Sequence, residues 1–171
     1  MIRSASGEDA ARLLEIYRWY VTDTAVTFEI AVPSEEDFRR RVEQTLEDYP
    51  WLVYEENGVI LGYAYAGHLK DREAYRRSCE LSVYVEREHR GRGIGRALYE
   101  ALEKDLRARG FLNLYACVAD PVEEDETLTR DSERFHERMG FRKNGEFRLC
   151  GYKFGRWYNM IWMEKFIGDH L

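Results

Sequence analysis

No run of about 18 consecutive apolar residues occurs in the 171-residue sequence, so no helix of membrane-spanning length is predicted. The opening MIRSASGEDA also lacks the apolar stretch of a secretion signal; the reading is a cytoplasmic protein with no membrane partner. Cysteine is scarce and odd in number. Cys79, Cys117 and Cys150 stand far apart in strand-like sequence, which argues against a disulfide framework or a zinc site and predicts buried free thiols. His68, His89, His136 and His170 show no HExxH or comparable spacing, so no metal is expected. An excess of basic charge is missing too. A net charge of -6 and a pI near 5.4 argue against a general nucleic-acid binder, whose phosphate affinity needs basic surface. No linker, repeat or low-complexity tract divides the chain. With 44% hydrophobic residues it is read as one domain, 1–171, with its own core.

Helical and strand periodicities are both present. SGEDAARLLEIYRWYV places Ala10, Leu13, Leu14 and Tyr17 on one helical face behind a Ser6–Asp9 capping pair. Ser34 is suited to cap a second helix with Phe38, Val42 and Leu46 inward. Asn57-Gly58 sits between two strand-like runs and supplies the positive φ angles of a tight hairpin. From Cys79 to Glu86, alternation puts Cys79, Leu81, Val83 and Val85 on one face and Glu80, Ser82, Tyr84 and Glu86 on the other. A helix follows, with Ile94, Ala97, Leu98, Ala101, Leu102 and Leu106 in one stripe and Gly110 at its end. FLNLYACVA reads as a strand, DPVEEDETLTRD as an acidic loop and SERFHERMGF as a short helix stopped by Gly140. Two closing strands are predicted to join through the Gly151–Gly155 region. Strands outnumber helices and hairpins flank the central unit, which predicts an α+β domain with a mostly antiparallel, twisted sheet flanked by helices.

Between the central strand and its helix lies EREHRGRGIGRA, three glycines set among arginines. The first amides of a helix have no intrahelical partners and the helix dipole favours an anion there, so a pyrophosphate suits this junction. A dinucleotide G-x-G-x-x-G fails in both registers, because Arg96 or Leu98 stands where the last glycine belongs. The Lys-Ser/Thr ending of a Walker loop is also absent. What fits is Arg90-Gly91-Arg92-Gly93-Ile94-Gly95, an R-x-x-G-x-G run.

At that run the chain resembles the GNAT superfamily of N-acetyltransferases. YPWLVYEENGVILGYAYAG, KDREAYR, CELSVYVEREHRGRGIGRALYEALE, SERFHERMGF and CGYKFGRW, in this order, resemble its phosphinothricin acetyltransferase branch. The resemblance implies a GNAT acyltransferase fold and acetyl-CoA as cosubstrate. It implies that Arg90, Gly91, Arg92, Gly93, Ile94, Gly95 and Arg96 surround the pyrophosphate, that Val83 and Val85 offer main-chain groups to the pantetheine arm, and that Ser132 adds a further contact. Two features depart from the branch: a longer acidic segment from Asp120 to Arg130, and Thr129 in place of a frequent asparagine.

Acetyl transfer from a thioester to an amine needs a base for the amine proton and a group that holds the acceptor in reach. The resemblance assigns the base to Glu80 and places His136 on the short helix, as a proton donor to the departing thiolate or as part of the hydrogen-bond network. It also associates Phe28, Lys70, Arg72, Tyr75, Ser82 and Tyr84 with acceptor recognition. Two cations suit an acceptor with carboxylate and phosphinate or sulfoximine groups. The implied function is N-acetylation of a small amino-acid-like acceptor by direct attack, in a homodimer. The competing readings are an acetyltransferase of peptide amino termini and a CoA-binding regulatory module without turnover.

Overall fold

A computed structural model describes residues 1–171. Strand β1 (Ile2–Ser4) precedes helices α1 (Ala10–Asp23) and α2 (Glu35–Asp48), followed by β2 (Trp51–Glu56), β3 (Val59–His68) and β4 (Ser78–Val85). Helix α3 (Ile94–Ala108) crosses to β5 (Asn113–Asp120), and the short α4 (Asp131–Arg138) leads to β6 (Arg142–Lys153) and β7 (Arg156–Phe166). All seven strands form one sheet in the order β1-β2-β3-β4-β5-β7-β6. Every neighbouring pair is antiparallel except β4 with β5, the pair that α3 connects. The architecture is the α+β arrangement expected. No helix is long and apolar enough to cross a membrane.

Local chemistry explains the punctuation. Ser34 Oγ accepts from the Asp37 N–H at 3.1 Å, and the Asp9 carboxylate accepts from the Ser6 N–H at 2.8 Å; such caps satisfy amides that a helix leaves unpaired. Asn57 and Gly58 both take positive φ and close the β2–β3 hairpin. The last hairpin is tighter than expected. Lys153 pairs with Arg156, so Phe154 and Gly155, both at positive φ, make the turn, while Gly151 lies inside β6 just after a register shift.

The sheet buries both faces. On one, Leu98, Leu102 and Leu106 of α3, all inaccessible, pack with Leu81, Leu114 and Met163. On the other, Leu13, Val21, Phe38 and Val42 of α1 and α2 cover Val53 and Tyr63. Each inaccessible leucine contributes about 2 kcal/mol of hydrophobic stabilisation. The acidic segment is anchored by Leu128, which is buried, and by Asp125 Oδ1, which accepts from the N–H groups of Thr127 and Leu128.

Expectation and structure part at the cysteines. Cys79 is buried, but Cys117 and Cys150 are exposed. Along β5, Leu114, Ala116 and Val118 turn to the α3 face, which sends Cys117 to the opposite face, where none of the buried residues around α1 and α2 comes from β5. Cys150 belongs to β6 at the sheet edge, a position with a neighbouring strand on one side.

Candidate active site

Strands β4 and β5 pair at Ser78–Asn113, Cys79–Leu114 and Glu80–Tyr115, and then separate. Each continues with its other neighbour: β4 stays on β3 as far as Val85–Gly62, and β5 stays on β7 as far as Asp120–Asn159. A wedge therefore opens in the sheet beyond Glu80. The Glu86 N–H donates to Leu61 O at 2.8 Å, a phase that turns the main-chain groups of Glu80, Ser82 and Tyr84 toward β3. Those of Leu81, Val83 and Val85 face the wedge. A cleft of about 50 Å³ sits there, lined by Val83, Tyr99, Cys117, Val118, Ser132 and His136 among others.

The two valines are not equivalent. A single hydroxyl, that of Tyr20, accepts from the Val85 N–H at 3.3 Å and donates to the Val85 carbonyl. Val83 has no strand opposite it on the wedge side, so an extended, amide-bearing chain fits beside it as an added strand.

Next to the wedge, Gly91 and Gly93 take φ of 75° and 81°, values that side chains tolerate poorly. The first intrahelical bond of α3 runs from the Ala97 N–H to Gly93 O at 3.0 Å. The amides of Ile94, Gly95 and Arg96 precede it and lack helical acceptors. Gly95 lies close under α4: a Cβ there would meet the Phe135 ring at 3.4 Å. Each of the arginines in this run lies near a carboxylate. Arg92 pairs with Glu56 at 3.0 Å, Arg96 with Glu100 at 2.8 Å, and Arg90 lies 3.9 Å from Asp131. Arg87 and Arg90 also stand over the Trp19 ring, at 5.4 and 5.9 Å from its centroid. Main-chain donors at the helix start, with guanidinium groups around them, fit a diphosphate, and the wedge fits its pantetheine arm.

Glu80 lies where the strands part, half-buried. Burial raises its carboxyl above the usual carboxylate range, and the nearby Lys70 charge pulls it back down. Its partner across the ladder is Gly67, and a Cβ built there would meet nothing within 4 Å. Directly opposed residues share a sheet face, so the missing side chain leaves open space beside the carboxylate.

The other expected acceptor residues divide. Ser82 and Tyr84 share the Glu80 face and line the cleft, although the Tyr84 ring is engaged by Tyr17 and Tyr20, both at 5.0 Å. Phe28 is half-buried against Tyr158. Lys70 is exposed but near enough to act on Glu80. Arg72 and Tyr75 lie on an exposed 3₁₀ turn and do not line the cleft.

His136 is buried between α4 and α3. Its Nδ1 lies 2.7 Å from Ser132 O and its Nε2 lies 2.9 Å from the Tyr99 hydroxyl. A carbonyl can only accept, so Nδ1 carries the proton and Nε2 accepts from Tyr99. Burial pushes the imidazole pKa down to about 4, which keeps the ring neutral near pH 7. Both nitrogens are thus committed to structural bonds.

Sequence reasoning missed Tyr20, Gly67, Tyr99 and Cys117 as neighbours of the site. Tyr99 adjoins Leu98 in the apolar stripe, and its burial was readable there. The other three come together only through strand pairing and the seating of α1.

This wedge, with a glycine-rich helix start beside it and a carboxylate at its apex, is that of an acyltransferase. An Acetyltransferase (GNAT) domain family model matches residues 2–162, and the chain belongs to that family. It is an acetyl-CoA-dependent N-acetyltransferase. Among its relatives, the L-methionine sulfoximine/L-methionine sulfone acetyltransferase of Salmonella typhimurium is 33% identical over 170 residues, covering 99% of this chain and 95% of the relative. A phosphinothricin acetyltransferase from Sinorhizobium meliloti, solved in complex with acetyl-CoA, superposes with a TM-score of 0.89 at 33% identity, covering 98% of this chain and 88% of that one. A ribosomal-protein-alanine N-acetyltransferase from Brucella melitensis gives the same TM-score and identity, over 98% of this chain and 99% of that one.

Proposed function

We propose that the chain, acting as one domain, acetylates the α-amino group of a small free amino acid whose side chain ends in a phosphinate, sulfoximine or sulfone group. The observation that carries this reading is the half-buried Glu80 carboxylate beside the open space at Gly67, with the Lys70 cation close by. Lys70 can attract an acceptor carboxylate through a charge-assisted contact. The Salmonella relative acts on amino acids of this type.

Acetyl-CoA brings an acetyl group activated as a thioester. Val83 offers its main chain to the pantetheine arm, and the amides of Ile94, Gly95 and Arg96 hold the diphosphate, with Gly91 and Gly93 shaping the approach. The side chains of Arg90, Arg92 and Arg96 add long-range attraction, and Ser132 closes the α4 side of the cleft. Glu80, directly or through a water, takes the proton from the ammonium of the acceptor, freeing the nitrogen pair to attack. The C–N bond forms as the C–S bond breaks, and the thiolate leaves with a proton from solvent or from the attacking nitrogen. His136 fixes Tyr99 and the wall of the cleft in this scheme. Phe28, Ser82 and Tyr84 bound the acceptor, and Arg72 and Tyr75, on their exposed turn, stay outside this scheme.

A second reading, acetylation of peptide amino termini, draws on the likeness to the Brucella protein. An acceptor screen separates the two: free phosphinothricin and methionine sulfoximine against short alanine-initiated peptides, with thiol release as the signal. Turnover of the free amino acids, lost in Glu80→Gln with coenzyme A binding retained, supports the first reading; turnover of peptides alone supports the second. Cytoplasmic residence belongs to this proposal, as does a homodimer. The dimer is supported by a patch of exposed aromatics on β6, β7 and their turn, Phe147, Tyr152, Phe154 and Trp157.

A further inference from the structure

The side chain of Lys153 is 4% exposed and has no carboxylate partner within ion-pair distance. Its Nζ instead donates to two main-chain carbonyls, Thr27 O and Glu29 O, each at 2.9 Å. These belong to the residues on either side of Phe28. The same segment is held from its other flank. Glu29 accepts from the Tyr17 hydroxyl at 2.7 Å and from Arg41 at 3.0 and 2.6 Å, and Thr27 Oγ1 lies 2.8 Å from the Tyr17 hydroxyl. Phe28 itself rests on the bare backbone of Gly151, where any Cβ would collide with its ring. Two residues of one strand, 151 and 153, thus contact Phe28 and its two neighbours.

Burying an ammonium against neutral carbonyls is costly, a cost that the Glu29 carboxylate charge and the Phe154 ring, 5.1 Å from Nζ, offset in part. A methionine would fill a similar volume without that cost if the position served packing alone. What the ammonium supplies is geometry: its two bonds require the carbonyls of Thr27 and Glu29 to converge on one point, which fixes the backbone between them and the direction of Phe28.

We propose that Lys153 is a positioning residue for acceptor selection, setting the Phe28 wall against which the acceptor side chain is measured. This rests on the reading above that Phe28 bounds the acceptor.

The test compares Lys153→Met, Phe28→Ala and the double variant, using phosphinothricin and methionine sulfoximine as acceptors. Lys153→Met is expected to raise the acceptor KM about tenfold, with kcat and the KM for acetyl-CoA changed less than about twofold. In the double variant the effect should not exceed that of Phe28→Ala alone, a coupling that general destabilisation does not produce. If methionine prevents folding, Lys153→Gln, which keeps an N–H donor for one carbonyl, is expected to give a smaller rise in the same KM. Should Phe28→Ala raise the acceptor KM while the folded Lys153 variant leaves it unchanged, or should the two effects simply add, the positioning role is overturned. Should Phe28→Ala itself leave that KM unchanged, the acceptor reading of Phe28 falls, and this inference with it.

Discussion

The Nε2 atom of His136 and the Tyr99 hydroxyl lie 2.9 Å apart, joining α4 to α3 at the wall of the cleft. Because Nδ1 is held by Ser132 O, protonation of this ring would place two N–H donors where the structure has one donor and one acceptor.

A pH dependence of stability follows. In the unfolded chain the imidazole titrates near its ordinary 6.5, whereas in the folded protein it stays neutral down to about 4. Between those values the unfolded state binds more protons, so stability present above pH 6.5 is lost as pH falls toward 4, to the order of 3 kcal/mol. Urea unfolding at pH 7 and pH 4.5 should show a drop that His136→Gln, which has no titrating ring, reduces.

With Glu80 as the proposed base, its carboxyl should govern a different limb. Glu80→Gln should lower kcat/KM by about 100-fold with coenzyme A affinity unchanged. Burial raises the Glu80 carboxyl while Lys70 holds it down, so the acid limb of the wild-type pH–rate profile should lie above that of an ordinary carboxylate. Removing that cation in Lys70→Met should therefore move the limb to higher pH, by an amount that shrinks with added salt.

Gly67 tests the space beside the carboxylate. Its φ is not in the left-handed region and a Cβ meets nothing within 4 Å, so Gly67→Val should fold with a thermal midpoint close to wild type. The added side chain points to the Glu80 face, and the acceptor KM should rise several-fold while the KM for acetyl-CoA holds.

At Gly93 the expectation reverses. The site is sterically open, but φ is 81°, so Gly93→Ala should cost about 1 kcal/mol in unfolding free energy. Coenzyme A titration calorimetry should also show weaker binding, because relief of that strain turns the first amides of α3.

What could be read from the sequence was what depends on near neighbours along the chain. The Asn57-Gly58 turn, the Ser34 cap and the glycine-rich entry to α3 each require particular residues at fixed offsets, and each stands where its residues predict. Alternation in β4 likewise separated Glu80 and Ser82 from Leu81 before any partner strand was known. What escaped notice joins distant positions: Tyr20 with Val85, Tyr99 with His136, Lys153 with Thr27 and Glu29. No local periodicity encodes such pairs, since they arise from how α1 is laid on the sheet, how α4 meets α3, and how β6 runs past the segment after α1. The exposed thiols of Cys117 and Cys150 were missed for a related reason, because alternation tells which residues share a face but not whether anything covers it.

The parting of β4 from β5 after Glu80 has a consequence for how this protein can change. Along Val83 the donor's arm would be gripped by peptide groups, which every amino acid but proline provides in full. Mutation there is free to vary the side chain while leaving that grip intact, provided the strand stays extended. Selectivity for the amine, in the proposed scheme, rests instead on side chains, those of Glu80, Ser82 and Tyr84 on the same strand and of Phe28 and Lys70 elsewhere, so new acceptors can be tried without relinquishing the acetyl donor.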